Sequence, residues 1–250
     1  MVLLVDVGNS NILFAFSNLE KINKSYRIKT LTDKTSDEYY ILLKSMLDTC
    51  KFESVIISSV VPVVTSALKK LFKSYYDIDS IIVGPGVKTG VQLKVDDPKT
   101  VGADIICDCS GAMIYSDEAI IVDLGTATKY IYVKGNVFYG CSIAPGVSIS
   151  MKALISNAAL LPNIEFTEPK RVIATNTMAC MQSGVILGSA SQVDGMVDRI
   201  KAEIGKDNIN VYATGGLSGV IVPLCKNKIE LKPDLTLEGL LAIYKKNMVA

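Results

Sequence analysis

Apolar residues along this chain fall into short blocks, and two of the blocks repeat one design. Val2-Leu3-Leu4-Val5 runs into Asp6-Val7-Gly8-Asn9-Ser10, then into Asn11-Ile12-Leu13-Phe14. Ala119-Ile120-Ile121-Val122 runs into Asp123-Leu124-Gly125-Thr126, then into Ala127-Thr128-Lys129-Tyr130-Ile131. Each reads as a β-hairpin whose tight turn carries Gly and small polar side chains. Elsewhere the period changes. Glu38 to Cys50 sets Tyr39, Leu42, Leu43, Met46 and Leu47 on one side of a helix. Ser54 to Val61 is a buried-strand run stopped by Pro62, and Ile81-Ile82-Val83 is another, ended by Gly84-Pro85-Gly86. A helix is predicted from Lys99 to Tyr115, opening near Asp97-Pro98. In the second half, Ser148 to Ala159 and Met178 to Ile204 read as helices, and Asn210 to Ala213 as a strand entering Thr214-Gly215-Gly216. Strands and helices thus alternate in both halves. The pattern predicts two related α/β lobes, 1–115 and 116–250, facing each other across a cleft without a Pro/Gly/Ser-rich linker.

Composition narrows the chemistry. The chain has 250 residues, 49% hydrophobic, enough to bury a full core. Its 26 basic and 25 acidic residues leave a formal charge of +1, with no basic stripe, which argues against nucleic acid as a partner. No apolar run approaches the ~18 residues of a membrane span, and the N-terminus lacks the features of a signal peptide. A cytoplasmic protein with no membrane partner is expected. Six cysteines, none in a CxxC, read as reduced residues packed in the core. Histidine is absent. That excludes Ser-His-Asp and Cys-His nucleophile systems and HExxH zinc sites, so acid–base work falls to carboxylates, Lys, Tyr or Cys.

The paired Asp-x-Gly turns are the first candidates for that work. Phosphate needs backbone N–H donors at close range, and Gly permits the approach. Asn9, Ser10 and Asn11 add donors in the first turn, Thr126 and Thr128 in the second. A carboxylate at the strand end, Asp6 or Asp123, can hold a cation or its waters beside phosphate. One Asp-x-Gly is ordinary turn chemistry. Two in matched contexts, followed by Ala213-Thr214-Gly215-Gly216, resemble the actin, hexokinase and Hsp70 superfold, in which the Gly-Gly segment lies against adenosine. Gly84-Pro85-Gly86-Val87-Lys88-Thr89 lacks P-loop spacing, and no dinucleotide fingerprint opens a helix. Val101-Gly102-Ala103-Asp104 stands where a helix starts. There Asp104 is either a carboxylate placed by the helix dipole or a group that accepts a proton from an attacking hydroxyl.

Taken together, these segments resemble the type III pantothenate kinase family over nearly the whole chain. The resemblance is carried by Asp6 to Ser10, Gly90 with Asp97-Pro98, Val101 to Asp104, and Asp123 to Thr128. Further along it rests on Ile143 to Gly146, Leu160-Leu161-Pro162, Asn176 to Gly184, Val193-Asp194-Gly195 and Ala213 to Gly216. It implies the actin-like ATPase superfold with two ribonuclease-H-like lobes. It also implies phosphorylation of pantothenate by ATP at the start of coenzyme A synthesis, a divalent metal such as Mg2+, potassium or ammonium (K+ or NH4+), and a homodimer. By the same resemblance Asp104 is the base. Asp6, Val7, Gly8, Asn9, Ser10, Asn11, Ile12 and Leu13 form the first ATP loop, with Asp6 reaching the divalent metal through water. Thr126, Gly215 and Gly216 contact ATP, and Asp123 binds the monovalent cation. Val95, Gly102, Ala103, Asp104, Ile105 and Thr177 line the pantothenate site, Thr177 reaching toward the partner subunit.

Four positions depart from the family pattern. Ile105 stands where Arg is usual, Val95 where Tyr is usual, Ile131 where Asp is usual, and Cys141 replaces the second Gly of a pair. Ile105 cannot give an anionic substrate the charge-assisted bonds of Arg, which leaves Lys88, Lys94 and Lys99 as candidates for the missing charge. Two alternatives therefore stand beside the pantothenate kinase: a kinase for another small acceptor, and a non-catalytic relative that binds nucleotide or metabolite. Lys129, where the family often has Thr, is expected to be a solvated or lobe-packing lysine rather than a phosphate ligand. The pairs Tyr39-Tyr40 and Tyr75-Tyr76 read as core edge and amphipathic surface.

Overall fold

The computed structural model describes residues 1–157, 161–162 and 164–248. Two units emerge: Met1–Tyr115 together with the chain from Leu235 onward, and Ser116–Asp234.

In the first unit, β1 (Val2–Val7) and β2 (Asn11–Ser17) form the first hairpin, and β3 (Ile22–Lys29) continues it antiparallel. On the other side of β1, β4 (Ser54–Ser59) and β5 (Ile81–Ile82) run parallel, giving the order β3-β2-β1-β4-β5. Helices cover both faces. Leu3, Val5, Val7, Phe14 and Phe16 pack with Tyr39 and Leu43 of α1 (Ser36–Leu47) and with Leu68 and Phe72 of α2 (Pro62–Tyr76). Val2, Leu4, Ala15 and Ile56 point the opposite way, as strand alternation requires. They meet Ala103, Ile106 and Cys107 of α3 (Ala103–Ala112) and Leu237, Leu240, Ile243 and Tyr244 of α7 (Leu235–Met248). A two-residue strand, β6 (Gln92–Leu93), lies in the loop before α3.

The second unit repeats the plan. β7 (Glu118–Leu124), β8 (Ala127–Lys134) and β9 (Val137–Pro145) form an antiparallel meander, while β10 (Asn210–Thr214) and β11 (Glu230–Leu231) run parallel beyond β7. The order β9-β8-β7-β10-β11 matches that of the first unit strand for strand. Ile120, Val122, Val211 and Ala213 pack with Val147 of α4 (Val147–Ser156), Ile186, Ala190, Val193 and Val197 of α5 (Thr177–Ile204), and Ile221 of the short α6 (Ser218–Ile221).

Several sequence expectations are corrected. The helix expected from Lys99 begins only at Ala103 and ends at Ala112. Pro98 starts a separate 3-10 turn, Pro98–Thr100, which Asp97 caps by accepting the Lys99 N–H. Pro62 does not merely stop a strand; it is the first residue of α2, where its missing N–H costs nothing. The helix from Ser148 is observed to Ser156, while the expected end at Ala159, and Leu160 with it, lie outside the described residues. The C-terminal helix α7 belongs to the first unit, not to a lobe spanning 116–250. Glycines explain this placement: a Cβ on Gly111 would collide with Leu235 O, and one on Gly239 with Cys107 O. α3 and α7 therefore touch backbone to backbone, pinned by Thr236 Oγ1 donating to Asp108 Oδ1 at 2.6 Å. All six cysteines are free, but Cys141 and Cys180 are exposed rather than packed in the core. Tyr39 is buried, while Tyr40 and Tyr75 stack on each other with centroids 3.7 Å apart.

Candidate active site

In the first unit the site grows from the end of β1. Parallel pairing sets Ser58 beside Asp6, and the Ser58 hydroxyl donates to Asp6 Oδ1 at 3.0 Å. The turn that follows is closed by the Gly8 N–H donating to Asn11 O at 3.0 Å. It is held from beneath by Thr30, whose hydroxyl donates to Gly8 O at 2.6 Å and whose N–H donates to Ser10 O at 3.1 Å. Asn9 and Ser10 are left exposed at its tip, whereas the side chains of Val7 and Ile12 are buried, so those two offer only backbone. Leu13, opposite Asp6 on β2, is half-buried.

Asp104 stands in the first turn of α3, whose N-cap is Gly102. A Cβ on Gly102 would strike Asp104 Oδ1, so the bare backbone there is what lets the carboxylate fold back over the helix start. The same oxygen accepts the Ile105 N–H at 2.9 Å. Ala103 and Ile105 are buried, so Ile105 turns into the fold rather than presenting a side chain at the surface. One turn on lies Cys107. Burial pushes its thiol well up, and the charge of Asp6, then those of Asp108 and Asp104, add to this, while a hydrogen bond with Ser58 opposes it. Asp6, Ser58, Cys107 and Asp104 thus share one neighbourhood in this unit. Val95 is half-buried in the loop between β6 and the 3-10 turn.

In the second unit, the Gly125 N–H donates to Ala127 O at 3.2 Å and closes the turn that presents Thr126. Two glycines press on this turn. A Cβ on Gly146, the N-cap of α4, would collide with Thr126 O and come 2.6 Å from Gly125 O. Gly215 has φ +91°, and its Cβ would lie 2.5 Å from both Asp123 Oδ1 and the Leu124 carbonyl carbon. The structure therefore gathers Asp123, Thr126 and Gly215, with Gly216 exposed beside them. Thr177 is the exposed first residue of α5, whose N-terminus Asn176 caps by accepting the Ala179 N–H at 2.9 Å.

Of the two roles expected for Lys129, solvated or packed within its lobe, burial excludes the first. The residue is 7% exposed, and its Nζ lies 2.7 Å from Asp123 Oδ2. Ile131, in place of the family's usual Asp, is fully buried opposite Ile121 in the sheet. Ser58, Cys107 and Gly146 were missed as site residues. Ser58 showed only as the polar end of Val55-Ile56-Ile57, and the packing of Gly146 on the turn depends on residues twenty positions away.

The sequence profile of the type III pantothenate kinase family matches residues 2–199. This chain belongs to that family. The type III pantothenate kinase of Acholeplasma laidlawii is 42% identical over 248 residues, covering 99% of this chain and 100% of its own. That of Geotalea uraniireducens is 44% identical over 254 residues, covering 99% of each. Among solved structures, a ROK family glucokinase from Streptomyces griseus, in complex with glucose and AMPPNP, matches with a TM-score of 0.53 at 12% identity over 98% of both chains. This last likeness is one of fold alone. With the repeated strand order it establishes the α/β, actin-like ATPase class for this pantothenate kinase family member.

Proposed function

We propose that this protein transfers the γ-phosphoryl group of ATP to the hydroxyl of pantothenate, the entry step of coenzyme A synthesis. The observation that carries this reading is a full-length relationship to type III pantothenate kinases in a chain that holds Asp104 over the open start of α3. Asp104 orients the acceptor hydroxyl and takes its proton as the bond to phosphorus forms. Phosphoryl transfer through a loose transition state asks for such an orienting base rather than a strong one. In this reading the acceptor sits beside Asp104 at the N-terminus of α3, with Gly102, the half-buried Val95 of the preceding loop and the backbone of Ala103 as lining positions, while Ile105 contributes packing only. Within the first unit the exposed tip of the Gly8–Asn11 turn, Asn9 and Ser10, is the candidate phosphate contact; within the second, the Thr126 turn is the candidate phosphate contact and Gly215-Gly216 the candidate adenosine contact.

A divalent ion fits at Asp6. A single carboxylate backed by a serine hydroxyl suits Mg2+ that keeps most of its waters and is held chiefly by the nucleotide's phosphates. When bound, it neutralises charge on those oxygens. No group of three or more acidic or sulfur side chains able to cage a metal occurs among the described residues. The monovalent cation expected at Asp123 does not fit there, because the Lys129 ammonium already faces that carboxylate. The same reading takes the protein to be a cytoplasmic homodimer, for which sedimentation at twice the 26.9 kDa chain mass is the expected result.

The test is ADP release by the purified protein with ATP and Mg2+, with and without millimolar pantothenate. Pantothenate-dependent release is expected. Folded protein that shows none, yet responds to another hydroxylated acceptor, would move the assignment to that substrate. The substitution of Ile105 for Arg makes this the main rival reading.

A further inference from the structure

We infer that the Lys129 ammonium is this protein's own built-in monovalent cation at the second phosphate turn, so that nucleotide binding and turnover require no added potassium or ammonium ion. The inference rests on the reading of the Gly125–Thr126 turn as a nucleotide-phosphate turn.

Register places the pair. β7 and β8 are antiparallel with Asp123 directly opposite Lys129, so both side chains rise from the same face of the sheet one step from the turn. Nζ and Oδ2 are 2.7 Å apart, and the side chains of Lys129 and Asp123 are only 9% and 13% exposed. Charges this sheltered persist when matched, because an unmatched one would shed its charge or draw in a counter-ion. The first hairpin offers a contrast. There the residue opposite Asp6 is Leu13, and Asp6 takes a hydroxyl donor from Ser58 instead.

Space and charge then work against a free ion. On the Oδ1 side of Asp123, Gly215 approaches so closely that even a Cβ would come within 2.5 Å. On the Oδ2 side stands the ammonium, which bears the same unit charge as potassium and repels a second cation brought to the same carboxylate. Being covalently tethered and buried, it is present at full occupancy whatever the salt. The role left for Asp123 and Lys129 is to fix the turn that carries Thr126 and to set the local charge there.

The experiment compares ATP binding by calorimetry, and pantothenate-dependent ADP release, in tetramethylammonium chloride and in potassium chloride at equal ionic strength. For the unmodified protein the two salts are expected to agree within about twofold. Stimulation by potassium of about tenfold or more, a difference of about 1.4 kcal/mol in binding, would overturn the inference. For Lys129→Thr, ATP affinity is expected to fall by about tenfold or more in tetramethylammonium and to recover in potassium or ammonium. Its melting temperature should also rise with potassium, while that of the unmodified protein does not. A variant indistinguishable from the parent in both salts would likewise overturn the idea. If the variant fails to fold in either salt, the response of the unmodified protein decides. ATP binding without pantothenate-dependent turnover would sink the acceptor assignment and leave this inference standing; absence of ATP binding in every salt would end both.

Discussion

Asp104 owes its position to its neighbour. Gly102 has no side chain, and the Asp104 carboxylate fills the space where one would be. If this carboxylate takes the acceptor's proton, Asp104→Asn should lower turnover by about 10²- to 10⁴-fold while ATP affinity and melting temperature stay close to the parent's. Turnover within a few fold of the parent, measured as ADP release, would remove Asp104 from the chemistry. The cysteines make a second residue-scale prediction. Buried Cys107 holds its proton well above the ordinary thiol value near 9, and Cys225 is pushed up to about 12, chiefly by burial and then by Asp194. An unfolded chain loses these protons from about pH 9 upward while the folded one keeps them, so the unfolded state binds fewer protons and stability falls as pH rises. For Cys107 alone the slope approaches about 1.4 kcal/mol per pH unit. Urea titrations at pH 8 and pH 10 measure it, and midpoints that coincide would contradict the burial argument. A thiol reagent on the folded protein at pH 8 should modify exposed Cys141 and Cys180 and spare Cys107.

Between elements, glycines decide how closely neighbours approach. Gly111 and Gly239 let α3 and α7 meet at their backbones, and α3 is the helix that carries Asp104. Gly239→Ala should therefore cost about 1–3 kcal/mol through overpacking, read as a lower melting temperature. Because the strain is passed to α3, turnover should fall as well; an unchanged melting temperature would mean that the helices part without cost. On the other sheet, Gly146 and Gly215 shape the Thr126 turn in the same way. The sequence displayed these glycines but not their partners. Gly215 was legible as half of a Gly-Gly pair, whereas the closeness of Gly239 to Cys107 joins positions that no local pattern connects.

For the molecule as a whole, the repeated hairpin heralded the repeated sheet. The order of the first sheet's five strands recurs among five of the six strands of the second, although the sequences share little beyond Asp-x-Gly and apolar runs. What the linear pattern misplaced was the C-terminus. α7 supplies Leu237, Leu240, Ile243 and Tyr244 to the core of the unit that begins at Met1. A chain ending at Asp234 should consequently lose the first unit's packing while the Ser116–Asp234 unit keeps its own core. Proteolysis followed by mass spectrometry is expected to show cleavage within residues 1–115 and protection beyond. Equal protection throughout would show that α7 is dispensable. Hairpins, most helix positions, the absence of histidine chemistry and the order of the family's motifs were readable from the sequence, because each depends on neighbours a few residues apart. Three features came only from the tertiary structure: the return of α7 to the first unit, the Asp6–Ser58–Cys107–Asp104 neighbourhood, and the buried pairing of Lys129 with Asp123. Each joins residues through sheet register or helix packing, and the free energy of such contacts lies in what is removed from water across the fold, which no stretch of sequence displays by itself.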